Sequence, residues 1–460
     1  MSERVKMDWV LFWTILGLIS LGLVMVYSAS AVMAQLKAPQ DDLTVVGAVT
    51  PKPAQDPAPA QRRLLLRRGG VLILVSGFLF TLFRRYGRRQ VNRGWVLMGC
   101  LAGALLVALV FFQDPTHAAH YDFLLRQALA ALFGFLLLMV LSQRDYRRLA
   151  TPQCAFLGLS IVIFLLIVVY FVDTRNHRWF NFGISLQPSE LAKPALIVFL
   201  AWFVTMRGGN VNDRYTMWPA ALALCVLGGA VVVPDFGTAL VLVATAAVVF
   251  YLAGLHWRYT VTAGVLGLVL FAAAVVWKPY RLKRVIDFVD PNYKVLVYVD
   301  PGKRLQQYAE SGSKIKDTRY HALQSTIAVG PGGIGGRGLM QSRQKLLFLP
   351  EAHTDYIYAV VAEELGMFGA TMLLAGFMVI LWRGYRLFLT ATDPFGRYIA
   401  VGVTTTLVFQ ALLNMSVVLD LGPTKGIPLP LISFGGSSMV SSLILLGLLL
   451  SVSQRSAATS

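Results

Sequence analysis

Apolar runs of roughly twenty residues, the length that carries a helix across a bilayer, recur along the whole chain and are separated by short stretches where arginine and lysine cluster. In lipid the backbone must satisfy its own hydrogen bonds, so such runs become bundled helices. The balance of residues agrees: 56% are hydrophobic, 14% are charged and the mean hydropathy is +0.64, far from a water-soluble domain. The expected fold class is an all-α polytopic membrane protein. A formal charge of +18 could suggest nucleic acid. Much of it lies between apolar runs, where cytoplasmic loops keep their Lys and Arg, so no nucleic-acid partner is expected. Cys100, Cys154 and Cys225 lie in or beside apolar runs without paired or metal-like spacing, and read as small buried hydrophobes.

The runs define about twelve crossings. The first, about 9 to 33, is longer than a signal-peptide core and shows no clear cleavage signal, so it is a retained helix. A Pro/Ala-rich stretch from Gln35 to Gln61 follows as a flexible loop. Two runs, about 66 to 83 and 95 to 112, flank a hairpin with five arginines (Arg84, Arg85, Arg88, Arg89, Arg93), which assigns it to the cytoplasm. Further runs follow at about 124 to 142, 153 to 172 and 190 to 206, then two that bracket Pro234 to Thr238, then about 260 to 277, 356 to 382, 398 to 418 and 439 to 453. Basic loops agree with one orientation, both termini cytoplasmic and the long segment from Lys278 to about Leu349 outside. The segments are thus 1–33, the first crossing; 34–123, a loop and hairpin; 124–277, the first part of the membrane core; 278–355, an extracytoplasmic loop and the candidate catalytic segment; and 356–460, the rest of the core with a short tail.

Chemically varied residues concentrate between Asp317 and Gly366, a stretch too polar to cross at its start and too rich in glycine for one helix. Asp317 stands near Tyr320, His321 and Gln324, just ahead of glycines at 330, 332, 333, 335, 336 and 338, and would suit a general base or metal ligand facing a phosphorylated substrate. Asp287 and Asp290 share the same segment. The glycines match no Walker or dinucleotide fingerprint. They either let amides approach a phosphate or allow a tight turn at the membrane surface. Ionisable groups at or inside apolar runs are costly. Glu190, Lys193, Asp235, Glu363 and Glu364 therefore read either as a buried polar network or as the lining of a substrate groove, with Glu190 and Lys193 able to share a helix face.

Four motifs carry a resemblance to a known family: RWFNFGISLQPSELAK from Arg178, PDFGT from Pro234, QSTIAVGPGGIGGRG through FLPEAHTDYIYAVVAEELG from Gln324, and GPTKGIPLPLISFGGSS from Gly422. In this order they resemble the SEDS proteins (shape, elongation, division and sporulation), over the first helix and about residues 124 to 453. The resemblance implies a core of about ten helices, a large extracytoplasmic loop before the last three, and a glycosyltransferase of the bacterial inner membrane that polymerises lipid II. The hairpin at about 66 to 112 is an insertion relative to that core. The family's essential loop aspartate, usually within DPxGxGYQxxQS, maps onto DTRYHALQS and hence Asp317. The spacing to Tyr320 is shorter here, and Asp290 and Asp300, each followed by proline, are rivals.

The motif residues implied in substrate binding are Arg178, Trp179, Gln187, Ser189, Glu190, Lys193, Gln324, Ser325, Arg337, Lys345, His353, Thr354, Lys425 and Ser433. Arg178, Lys193, Arg337 and Lys345 are candidates to meet pyrophosphate charge. The implied partners are lipid II, undecaprenyl-pyrophosphate-linked glycan, a class B penicillin-binding transpeptidase and other division or elongation proteins. A divalent cation, Mg²⁺ or Mn²⁺, is the implied cofactor, with its ligands unassigned. QSRQKLLFLPEAHTD, from Gln341, looks more like the division-type FtsW than the elongation-type RodA. Two other functions fit a chain of this composition: a transporter of lipid-linked precursor, with Glu190, Lys193 and Asp235 along its path, or a non-catalytic scaffold for a transpeptidase.

Overall fold

The computed structural model describes residues 7–37, 118–173, 177–181, 185–232, 234–277, 279–290, 307, 318–345, 349, 351–423 and 426–456. Helix starts follow local sequence. Thr151 caps the helix that Pro152 opens, and Asp393 caps the one that Pro394 opens, its carboxylate accepting from the Gly396 amide at 2.9 Å. In chain order the membrane helices are α1 (Trp9–Lys37), α2 (Ala118–Gln143), α3 (Pro152–Val172), α4 (Pro188–Arg207), α5 (Arg214–Val232), α6 (Phe236–Leu252) and α7 (Trp257–Val276). Two shorter helices follow, α8 (Pro279–Val289) and α9 (Thr318–Val329), and then α10 (Ile357–Thr390), α11 (Pro394–Val418) and α12 (Gly436–Ser456). Eight of these are long and apolar enough to cross a membrane, and the apolar parts of α5 and α6 form two shorter helices. Helices therefore cover all ten apolar runs expected outside the hairpin, eight of them long enough to span. The hairpin at about 66 to 112 lies outside the described residues.

Small residues set the centre of the bundle. α2 and α12 cross where Gly134 lies against Leu443 and Gly447 lies against the backbone of Leu138, so a side chain at either glycine would push the helices apart. α12 is the most enclosed span, with 83% of its apolar window buried, whereas α7 has 8% and faces outward. α4, α6, α10 and α12 pack around α11. At one end, ion pairs tie Arg383 to Asp8 on the approach to α1 and Arg147 to Asp393 at 3.3 Å. This is the basic end. At the opposite end lie α8, α9, a two-stranded hairpin (β1, Phe180–Asn181; β2, Ser185–Leu186) and the glycine-rich segment.

The all-α class is as expected, and the described strands, β1 and β2, are two residues each and pair antiparallel. Two details differ from expectation. The segment after α7 is not loop throughout, because α8 and α9 are helices within it. And the helix expected over about 356 to 382 runs to Thr390 and is broken at Gly366, whose φ of 66° and ψ of −164° no other residue type adopts without strain. The glycine-rich segment repairs that break. Arg337 and Gly338 amides donate to the carbonyls of Glu363 and Glu364 at 3.0 and 2.9 Å, and the Met367 and Phe368 amides donate back to Gly333 and Ile334 at 2.8 and 3.2 Å. Gly336 sits directly on the Glu364 carbonyl, where a Cβ would collide with backbone. The glycines thus serve close backbone docking, and the amides of 337 and 338 are spent on α10 rather than offered to a phosphate.

Gly366→Ala should cost roughly 1–3 kcal/mol from backbone strain alone and lower the thermal midpoint in detergent, whereas Gly17→Ala on α1, where nothing lies within 4 Å, should leave it unchanged. Equal midpoints for both variants would show that the kink does not depend on the docked segment.

Candidate functional site at the loop end of the bundle

Four groups of polar side chains gather at or just below the loop end. The first sits at the top of α10. Glu363 accepts from Ser342 Oγ at 2.5 Å, from the Arg343 amide at 2.9 Å and from Arg337 Nη1 at 3.3 Å. Glu364 accepts from Lys345 Nζ at 2.8 Å and from Ser28 Oγ of α1 at 2.7 Å. Both carboxylates face the protein, as expected of charged groups at this depth. Lys345, expected to meet substrate, is 3% exposed against Glu364 at 0%, so its charge is already answered inside the fold.

The second group centres on Asp235, which caps α6 through the Gly237 and Thr238 amides at 3.1 and 3.2 Å. The cap explains why two crossings are interrupted at this point. The other carboxylate oxygen collects Thr238 Oγ1 at 2.7 Å, Gln187 Nε2 at 2.8 Å, Arg178 Nη2 at 3.4 Å and Ser189 Oγ at 3.5 Å. Arg178 also lies over the Trp179 ring, and its backbone is held by Asp173. The third group lies below, where Lys193 Nζ meets Glu190 Oε2 at 2.7 Å and Gln410 Oε1 at 2.7 Å with both ions almost fully buried. The residues expected in a buried polar network, Glu190, Lys193, Asp235, Glu363 and Glu364, lie in three clusters.

The fourth group is the run from His353 to Asp355. The Phe434 amide holds the His353 carbonyl at 2.9 Å, Ser433 Oγ holds that of Thr354 at 2.5 Å and Asn414 Nδ2 holds that of Asp355 at 2.7 Å. The His353 ring packs edge-on to Phe123. Ser433 therefore acts as a brace, and Thr354 Oγ1 turns back to Glu351 at 2.9 Å. Burial pushes the Asp355 carboxyl up to about 6, with Arg178 and Arg284 pulling it down and Glu351 and Asp235 adding to the rise.

Of the remaining candidates, Ser325 is buried on α9 and donates to the Val418 carbonyl at 2.9 Å, and Gln324 is half-buried. Asp290 is buried at the end of α8. Asp317, Asp300 and Lys425 lie outside the described residues. Among the four cations named for pyrophosphate, Arg178 and Arg337 keep 30% and 31% exposure, while Lys193 and Lys345 are enclosed. Asp355 and Arg284 were not singled out from the sequence. No sequence pattern marks Asp355, because an aspartate just ahead of an apolar run reads as a helix cap, and only in the structure does the N-cap position fall on Tyr356. Among the described residues no three His, Cys, Asp or Glu side chains are grouped to hold a metal ion.

A bundle of helices long and apolar enough to cross a membrane, with a polar, partly open site at one end, defines a polytopic membrane protein. The chain belongs to the FtsW/RodA/SpoVE family, described as cell cycle protein, whose model matches residues 89–458. It is similar to stage V sporulation protein E of Bacillus subtilis, 37% identical over 345 residues that make up 73% of this chain and 88% of the relative. A probable peptidoglycan glycosyltransferase FtsW of Alkalilimnicola ehrlichii is 38% identical over 373 residues, covering 78% and 85%. Among solved structures, a chain of a peptidoglycan synthase complex that coordinates polymerization and crosslinking aligns with TM-score 0.56 at 28% identity, over 80% of this chain and 99% of that one. The rod shape determining protein RodA of Thermus thermophilus aligns with TM-score 0.51 at 25% identity, over 80% and 98%.

The enclosed Glu190–Lys193 pair yields a test of its role. Lys193→Met leaves a buried carboxylate unpaired and should cost about 3–5 kcal/mol, and adding Glu190→Gln should return most of it. Thermal unfolding of both variants measures this. Full stability together with lost activity in the double variant would assign the pair to the substrate path rather than to packing.

Proposed function

We propose that this chain polymerises lipid II at the outer face of the bacterial inner membrane, with its basic end in the cytoplasm. As a member of its family the chain is a peptidoglycan glycosyltransferase, and the observation that carries the reading is spatial. Residues of all four sequence motifs, separated by up to about 260 positions, converge at the loop end around Arg178, Asp235, Asp355 and the Ser433 turn. The orientation rests on the arginines and lysines between crossings, which favour the cytoplasm.

In the reaction, the C4 hydroxyl of lipid II attacks the anomeric carbon of the growing chain. The bond to undecaprenyl pyrophosphate breaks, and the leaving group takes the electron pair. Asp317 takes the hydroxyl proton or helps bind a divalent cation, and base assistance of this kind is typically worth about 10²- to 10⁴-fold. Arg178 and Arg337, the two more exposed of the four candidate cations, meet the pyrophosphate charge. The described residues do not by themselves form a cation cage. Mg²⁺ or Mn²⁺ would therefore be held by the substrate's phosphates together with loop carboxylates. A class B transpeptidase is the proposed partner, a reading supported by the likeness to a chain of a synthase complex. Curated relatives named FtsW favour a role in division.

The test is gel analysis of glycan products from purified protein, lipid II and Mg²⁺ or Mn²⁺, with and without the transpeptidase. Wild type should give ladders and Asp317→Ala none, while the variant stays folded. Retained ladders in Asp317→Ala would shift its role to Asp290 or Asp300. No ladder from wild type under any of these conditions, with lipid flipping lost on changing Glu190, Lys193 or Asp235, would favour a transporter.

A further inference from the structure

Asp355 differs from every other carboxylate described at the site. Asp235, Glu363 and Glu364 are each saturated by donors. Glu190 has Lys193. No described residue donates a hydrogen bond to the Asp355 carboxyl, although its backbone is held with unusual care. Three successive carbonyls, those of His353, Thr354 and Asp355, are pinned by Phe434, Ser433 and Asn414. Asn414 also bonds the Ile427 carbonyl at 2.7 Å, which fixes the neighbouring turn in the same frame. Within that turn, Gly426 lies against the Asp355 carboxyl, and any side chain there would occupy its space. Such a frame prevents the carboxyl from drifting, and a group held this way with no described donor on it is preorganised for a proton from elsewhere.

Its charged surroundings point the same way. Arg178, from the β1–β2 approach, and Arg284, from α8, bear on Asp355 together with Asp235 and Glu351. α8 is a short helix whose Arg281 donates to the Val232 and Ala274 carbonyls at 3.0 and 3.3 Å. It is thereby fastened across the ends of α5 and α7, which carries Arg284 to the site.

We propose that Asp355 is a catalytic residue, the acceptor of the proton from the attacking C4 hydroxyl, with Arg178 and Arg284 placed to receive the departing pyrophosphate. The assignment rests on the glycosyltransferase reading above and deepens it. The oxygen–carbon bond forms as the bond from the anomeric carbon to pyrophosphate breaks. The electron pair leaves with pyrophosphate, and the hydroxyl proton passes to the Asp355 carboxylate and then to water. Asp317 is left with the cation. A base held near neutrality by burial is suited to this task, since it is ionised at working pH yet still accepts a proton.

The sign of the pH dependence follows. The carboxyl titrates at about 6, so activity is present above that pH and falls as pH drops through it. The groups facing it are Arg178, Arg284, Asp235, Glu351 and the neighbouring Tyr356. Because burial disfavours its charged form, Asp355→Asn should melt no lower than wild type at neutral pH.

The experiment compares full-length wild type, Asp355→Asn and Asp355→Glu, each with the transpeptidase partner. It measures polymerisation of lipid II from pH 5 to pH 8, binding of fluorescent lipid II and thermal midpoint. Asp355→Asn should lose about 10²-fold or more in rate, bind lipid II as wild type does and lack the limb near the pH given above, and Asp355→Glu should recover part of the rate. A rate in Asp355→Asn close to wild type, or an unchanged acid limb, would overturn the assignment alone. So would joint loss of binding, midpoint and rate, which marks a structural role. Wild type that binds lipid II without polymerising it would sink the polymerase reading, and the assignment with it.

Discussion

A helix broken inside a membrane leaves carbonyls and amides that lipid cannot satisfy, and the exchange at Gly366 is what the loop end depends on. The backbone of Gly333 to Gly338 takes up the four groups that the break releases, two in each direction. Glu363 and Glu364 then fasten the next turn of chain, from Met340 to Lys345, through side-chain and amide donors. Ser28 brings α1 into the same lock. A long segment beyond the membrane surface is thus anchored to the core at one place, by backbone geometry that only glycine permits and by charges that are matched where they are buried.

Charge matching runs through the whole bundle. Lys193 faces Glu190, Lys345 faces Glu364, Arg383 faces Asp8 and Arg178 faces Asp235. An isolated ion at these depths would cost several kcal/mol, so pairing is the condition under which such residues persist. Against that background a pinned carboxyl that accepts from no described residue is informative. Asp355 sits in a braced frame beside Arg178 and Arg284, the combination a reacting group needs and a purely structural one does not.

Polarity of this kind also explains why the site lies at one end. The proline-led starts of α4 and α11 and the aspartate caps of α6 and α11 satisfy helix ends, and Ser433 closes the turn before α12 on the Leu429 amide. Those at the loop end converge because alternating crossings return the starts of α4, α6, α10 and α12 to the same surface. Residues 178, 235, 355 and 433 meet there despite their separation in the chain.

Much of this was legible in the sequence. The lengths of the apolar runs determined the ten described apolar helices, eight of them long enough to span, because the thickness of a bilayer admits few alternatives, and Glu190 with Lys193 could be paired from their spacing on one helix. The motif resemblance determined the family. Only the tertiary structure decided what the glycines do, since their partners lie on α10, and only it separated Lys345, turned inward, from Arg178 and Arg337, left partly open. Asp355 was hidden for the same reason: the donors that pin its backbone, the glycine that makes room for it and the arginines beside it come from five separate parts of the chain. Local pattern reports a residue's neighbours along the chain, whereas a carboxyl's chemistry is set by its neighbours in space, and those exist only once the helices have packed.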